Sequence, residues 1–244
     1  MKRAVWAIAG FVAAGTFSIA LAAPAGKNGT TTVDSGSFGV FMNGRRVATE
    51  KFDIVQRPDA SVVSSELKLD DGGYKLNLSS DLELAPNGNL LRYSWREMSP
   101  GKSQAVVEPN QEFLIERVTE SAQKPRAVPF LLPPSTAILD DFFFTHREVL
   151  AWKYLAGVCE NSAGSLRCKS TKTQFGVIIP RQHVSATVSL EYGGREKVQI
   201  HGVERELTRL TLHSDTADWS LWLDDQLHLQ RITIAGQNTE IVRD

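Results

Sequence analysis

Along most of this chain, apolar side chains recur at every second position, in short runs cut by turn signals. A period of two is the mark of a strand with one buried and one wet face, and a helix cannot carry it. The pattern opens at Phe38, Val40 and Met42 and resumes at Val47, Phe52 and Ile54, across Asn43-Gly44. Asn-Gly between two such runs marks a tight hairpin, because both residues tolerate positive φ. Val63, Ser65, Leu67 and Leu69 share a face before Asp71-Gly72-Gly73, and Tyr74, Leu76 and Leu78 follow it. Leu82 and Leu84 lead to Pro86-Asn87-Gly88, and Leu91, Tyr93 and Trp95 alternate beyond. After Val106 and Val107, Phe113 and Ile115 read as one face, with Glu112, Leu114 and Glu116 on the other. Arg92 and Arg96, with Glu112 and Glu116, read as a solvated face, where ion pairs are worth little.

The strand period fails at SAQKPRAVPFLLPPS, residues 121–135, whose prolines a strand interior does not tolerate. This stretch fits either an extended linker or a flap over the sheet. Next comes LDDFFFTHREVLAWKYLAG, with Phe143, Arg147, Leu150 and Tyr154 on one helical stripe and Phe142, His146, Val149 and Lys153 on the next. The spacing predicts a helix over 140–155, with Asp140 or Asp141 as cap and Gly157 as stop. Asp140, Asp141, His146 and Arg147 read either as capping and surface polar groups or as an acid/base set. The run Phe142-Phe143-Phe144 points around most of a helical turn, so one packed surface cannot take all three rings. It reads as core, or as core with one ring left for a cavity or partner.

Strands resume at Phe175, Val177 and Ile179, then at Val184, Ala186, Val188, Leu190 and Tyr192 up to Gly193-Gly194. Val198 and Ile200 answer them. Leu207 to Leu212, Trp219 to Leu223 and Leu227 to Ile234 complete the series. The expected fold class is mainly β: a strongly curved antiparallel sheet, a half-barrel with one central α-helix plugging its apolar side. A two-sheet β-sandwich is the alternative. The expected organisation is a single domain over 36–244. Its two meanders, 36–120 and 170–236, are joined by the Pro-rich segment and helix of 121–156.

The start of the chain reads as an address. Lys2 and Arg3 precede an uncharged run, and Ala20-Leu21-Ala22 places small residues at the −3 and −1 positions of a cut. That is the layout of a signal peptide, residues 1–22, cut after Ala22. An uncleaved anchor is the competing reading, but the run is rich in Ala and Gly rather than Leu. Residues 23–35 are small and polar and read as a flexible lead-in. The expected location is periplasmic or secreted, with no transmembrane segment after cleavage. In an oxidising compartment Cys159 and Cys168, separated by turn-forming residues, read as a hairpin disulfide. Such a short loop adds at most about 2–3 kcal/mol in the chain-entropy account.

With 27 basic and 28 acidic residues, the formal net charge is −1, which gives no electrostatic footprint for nucleic acid. GxSxG, HExxH, Walker and GxGxxG patterns are missing. The five histidines are dispersed, so no metal or cofactor is expected, and no catalytic residue is assigned. The chain reads as a non-enzymatic protein, although an unmarked hydrolase remains open. Leu91, Tyr93, Trp95, Phe142, Phe143 and Trp219 are the candidate lining for an apolar small molecule or lipid. The alternative is an envelope protein that docks a protein partner through a sheet edge or the Pro-rich segment.

Three stretches carry a resemblance: SGSFGVFMNGRRVATEKFDI, ILDDFFFTHREVLAWKY and WSLWLDDQLHLQRITIAG. Across residues 36–236 the chain resembles a group of bacterial envelope proteins of unknown function. They open with a strand, an Asn-Gly turn and a strand after G-x-x-V-x-T/G-E, and they share an Asp-led helix and a final hairpin. The resemblance implies the half-barrel of the lipoprotein carriers LolA and LolB, in which a curved sheet and a helical lid enclose an apolar cavity. It supplies no catalytic residues. This chain has one clear helix where those carriers have several.

Overall fold

The computed structural model describes residues 29–120, 124–162, 165–169 and 171–244. The expected signal peptide lies outside them. Eight strands come first: β1 (Thr31–Met42), β2 (Arg45–Gln56), β3 (Ser61–Asp70), β4 (Lys75–Leu84), β5 (Leu90–Ser99), β6 (Gln104–Asn110), β7 (Phe113–Thr119) and β8 (Arg126–Phe130). The short β9 (Ala137–Ile138) and the helix α1 (Thr145–Val158) follow. Then come β10 (Cys159–Ser162), β11 (Ser165–Cys168), β12 (Thr173–Ile179), β13 (Val184–Ile200), β14 (Val203–His213), β15 (Asp218–Leu223), β16 (Leu229–Ile234) and β17 (Thr239–Arg243).

Fifteen of these strands form one sheet, ordered β8-β7-β6-β5-β4-β3-β2-β1-β17-β16-β15-β14-β13-β12-β9. A twisted sheet of this width cannot stay flat. It curls around α1 without closing, so the sandwich alternative falls. Asn43 and Gly44 make the first hairpin, both with positive φ (51° and 76°). Cys159 and Cys168 face each other across the separate β10–β11 hairpin and form the disulfide.

The two meanders are joined by a strand whose alternation is too short to stand out. β17 pairs with β16 on one side and β1 on the other, with Ile241 opposite both Ile232 and Val40. The start of the sheet also lies earlier than the small polar composition implies. Thr31 to Ser35 pair with β2 instead of forming a free lead-in, and buried Asp34 is held by Arg243 of β17 at 2.5 and 2.8 Å.

The core lines the inner face, from Phe38 on β1 to Ile241 on β17, with Leu150 and Tyr154 of α1 at its centre. A second, smaller cluster explains apolar residues that alternation leaves pointing outward. The register of the β13–β14 hairpin shifts at Tyr192/Gly194. Its far end lies across the outer face, so that Val198, Ile200 and Leu207 cover Trp222 and Val242, and His201 meets the Arg243 carbonyl at 2.8 Å.

Because β17 is, among the described residues, the one strand that pairs the two meanders, its inward residue should matter to the whole fold. Ile241→Ala should lower the unfolding free energy by about 2–5 kcal/mol in urea titration. Leu131→Ala, at a side chain 86% exposed, should change it by no more than about 0.5 kcal/mol.

Candidate functional site

The helix begins at Thr145, not at Asp140, and neither aspartate caps it. Phe144 holds the cap position and provides no side-chain acceptor. The orphan N–H groups find one on another element. Glu50 of β2 accepts the Phe144 N–H at 2.7 Å, the Thr145 N–H at 3.4 Å and the Thr145 hydroxyl at 2.5 Å. A carboxylate also suits the positive end of the helix. Burial nevertheless pushes the Glu50 carboxyl up to about 7, its hydrogen bonds only partly opposing this. Glu50 closes the V-x-T-E stretch of the first hairpin, so one of the resemblance motifs delivers the helix cap.

Asp140 instead ties the turn before the helix to the sheet. It accepts the Tyr93 hydroxyl at 2.8 Å and the Phe142 N–H at 2.9 Å, and Arg181 approaches it at 3.3 Å. The His146 Nδ1 accepts the Asp140 N–H at 3.3 Å, which leaves the ring proton of neutral imidazole on Nε2. Burial, with help from Arg147, drives the His146 pKa down to about 3. Arg147 donates to the carbonyls of Asp140 and Phe143 and lies 4.5 Å from the Trp219 ring centre. Glu148 accepts the Leu229 N–H at 2.8 Å, and burial raises its pKa well above the usual range. The four residues Thr145 to Glu148 are all buried, among them His146 and Arg147, which the sequence offered as surface polar groups or as part of an acid/base set.

The proposed lining residues divide between the outer face and the packed interior. Leu91 lies on the outer face and is 42% exposed. The register shift between Glu83 and Leu84 puts Leu90 inside in its place, so the strict alternation breaks there. Tyr93 and Phe143 are fully buried in contact with the His146 ring. Trp95 and Phe142 flank the Arg181 guanidinium at 4.0 and 4.9 Å. Trp219 lies on the other flank, under Arg147. Five of the six therefore pack around the buried polar cluster and fill the interior.

One supposed surface row also turns inward. Leu114, Glu116 and Val118 face the core, while Phe113 and Ile115 are half-buried. Glu116 is met by the His183 Nδ1 at 2.9 Å, and burial is the main cause that raises its pKa. This contact spans the gap between β7 and the β12–β13 turn, where the sheet does not close. Arg92 stays outside as expected.

Open space lies on the flank of the helix. A groove of about 500 Å³ runs between the C-terminal half of α1 and the ends of β2, β3 and β4. Ile54, Val63, Leu84, Val149 and Trp152 form its apolar walls, and Lys153 is the single charged residue among the described residues that line it. Val149 and Lys153 belong to the second helical stripe, so that stripe is the groove wall. Trp152 is held by its indole N–H, which donates to the Leu227 carbonyl at 2.7 Å. The Lys153 Nζ donates to the Ser135 carbonyl at 2.7 Å, and burial lowers its pKa. Among the described residues, no three His, Cys, Asp or Glu gather as metal ligands, and no helix is long and apolar enough to cross a membrane.

No protein-family profile and no curated protein matches the chain. Its fold is similar to that of a crystal structure from Brucella abortus, a β-barrel-like protein of a domain of unknown function, DUF1849. The TM-score is 0.54 at 8% identity, over 86% of this chain and 94% of the other. The likeness shows a barrel-like fold.

Glu50 and His146 make opposite pH demands. The Glu50 pKa is raised from 4.5, so its contribution to stability is present below pH 4.5 and is lost as pH rises through about 7. The His146 pKa is lowered from 6.5, so its contribution is present above pH 6.5 and is lost as pH falls through about 3. Glu50→Gln removes the first demand alone. Denaturant titrations across this range should show the variant gaining on the wild type by roughly 3 kcal/mol between pH 4.5 and 7.

Proposed function

We propose that this is an exported, non-enzymatic protein of the cell envelope that binds or carries an apolar, lipid-like ligand. The observation that carries this reading is the groove between α1 and strands β2 to β4. Its volume of about 500 Å³ falls in the usual range for small-molecule sites, and its walls are predominantly aliphatic and aromatic. On this reading the ligand site lies on the flank of the helix rather than on the concave face, where Tyr93 and Phe143 are buried in the core. Export is supported by the signal-like start of the sequence, and the disulfide is compatible with it. Sequestration here needs no catalytic group.

A docking role has narrower support. The edge strand β8 is short, carries Pro129 and begins with Arg126, features that discourage pairing with another strand. Leu131, beside it in the Pro-rich segment, is the exposed apolar side chain that favours a partner at this point.

Native mass spectrometry of the exported protein, before any detergent step, tests the reading. A stoichiometric extra mass that extracts into organic solvent is expected. Ala156 lines the groove and is exposed, so Ala156→Trp should fill the groove without disturbing the core. This variant should lose the extra mass while keeping its melting temperature. A clean apo mass for the wild type, also after incubation with phospholipids, would move the assignment to the docking role.

A further inference from the structure

We infer that the groove takes a single-chain amphiphile with one negative charge, a free long-chain carboxylate, and that the Lys153 ammonium receives its head. The inference rests on the apolar-ligand reading of the groove and names its ligand.

Among the described residues lining the groove, Lys153 alone carries a charge; the others are apolar or neutral polar groups. Its only hydrogen bond among the described residues goes to the neutral Ser135 carbonyl, and no carboxylate of a described residue forms an ion pair with it. Burial alone shifts its pKa, with no acidic neighbour opposing. Half-buried cations are normally matched by an anion, because losing water costs them free energy that only a counter-charge restores. Among the described residues, the cations buried more deeply than Lys153 have such company. Arg243 has Asp34, and Arg181 approaches Asp140. Arg147 has backbone carbonyls and an aromatic face, with Asp141, Asp140 and Glu50 acting on it through space. Lys153 is left with one donor spent and the rest of its charge facing the groove.

The shape limits the ligand further. One groove of about 500 Å³ suits one acyl chain, and a second chain would be left in water. A zwitterionic head would bring a cation for which the lining offers no carboxylate. Gln56 and Ser61 lie at the strand-end side of the same groove and can add neutral hydrogen bonds to a head group.

Titration of the delipidated mature protein with dodecanoate and with dodecanol tests this, with the change in tryptophan fluorescence, to which Trp152 in the groove wall contributes, as the readout. The wild type should bind dodecanoate at least about tenfold more tightly than dodecanol, as a charge-assisted hydrogen bond requires. Lys153→Gln should bind the two alike, and Lys153→Arg should keep the preference. If the wild type binds both equally, the carboxylate inference falls while the apolar-ligand reading stands. If it binds neither, both fall. A preference that survives in Lys153→Gln would also overturn the inference, because another group would then hold the head. Should Lys153→Gln fail to fold, the wild-type comparison and Lys153→Arg still decide.

Discussion

The Glu50 carboxylate is what lets a helix start inside this sheet. Four N–H groups at a helix start have no partner within the helix. At the protein surface water would supply one, but here the first turn lies in the filled interior. A side chain from β2, 95 residues earlier, accepts instead. The arrangement costs free energy, as the raised Glu50 pKa shows, and the low pKa of His146 shows the same cost with the opposite sign. Neither group can be swapped for water, so β2 and α1 specify each other's position. A helix that carried Thr-His-Arg-Glu at its start with no such acceptor would stay at the surface.

A second constraint acts where the sheet ends. Between β8 and β9 no backbone ladder forms, and β9 is only two residues long. Side chains of the β12–β13 turn take over. His183 reaches Glu116, Arg181 reaches Asp140, and Gln182 donates to Asp141 at 2.9 Å. The Pro-rich segment closes the same region, with the Pro134 carbonyl accepting the Leu90 N–H at 2.7 Å. It therefore acts as a strap tied to β5 and, through Ser135, to Lys153. The sheet stays open, its two ends tied by side chains and a strap, and those end strands are short or carry proline.

Much of this was legible in the sequence, and the rest failed for identifiable reasons. Alternation and Asn-Gly located the strands, and one helical stripe, Phe143, Arg147, Leu150 and Tyr154, is buried along its whole length. What alternation cannot show is which face is inside when a polar residue occupies an inward position. Glu116 reads as part of a solvated face and Asp140 as a cap or surface group, yet each is buried by a partner distant in sequence, and no pattern singles out Glu50. Leu91 fails through a register shift, which no period-two pattern contains. Thr31 to Ser35 fail because pairing, not composition, orders them. The groove was half visible: Val149 and Lys153 stood on the second stripe, but the strand ends facing them are set by topology.

A filled interior and an open flank also decide what ligand exchange demands. Had the aromatic residues Tyr93, Trp95 and Phe143 lined a cavity, a ligand would have had to displace the polar cluster around Asp140 and His146. That cluster is bonded to both halves of the sheet, so opening it would approach unfolding. The groove lies beside the C-terminal half of α1, away from the Glu50 cap. On the proposed reading, a chain would enter and leave there while the helix start stays fixed. The side chain that spans both worlds is Lys153, on the helix and bonded to the strap. Its ammonium carries three N–H donors, and the one given to the Ser135 carbonyl leaves the others for an anion, so on the proposed reading the strap stays tied while the groove fills.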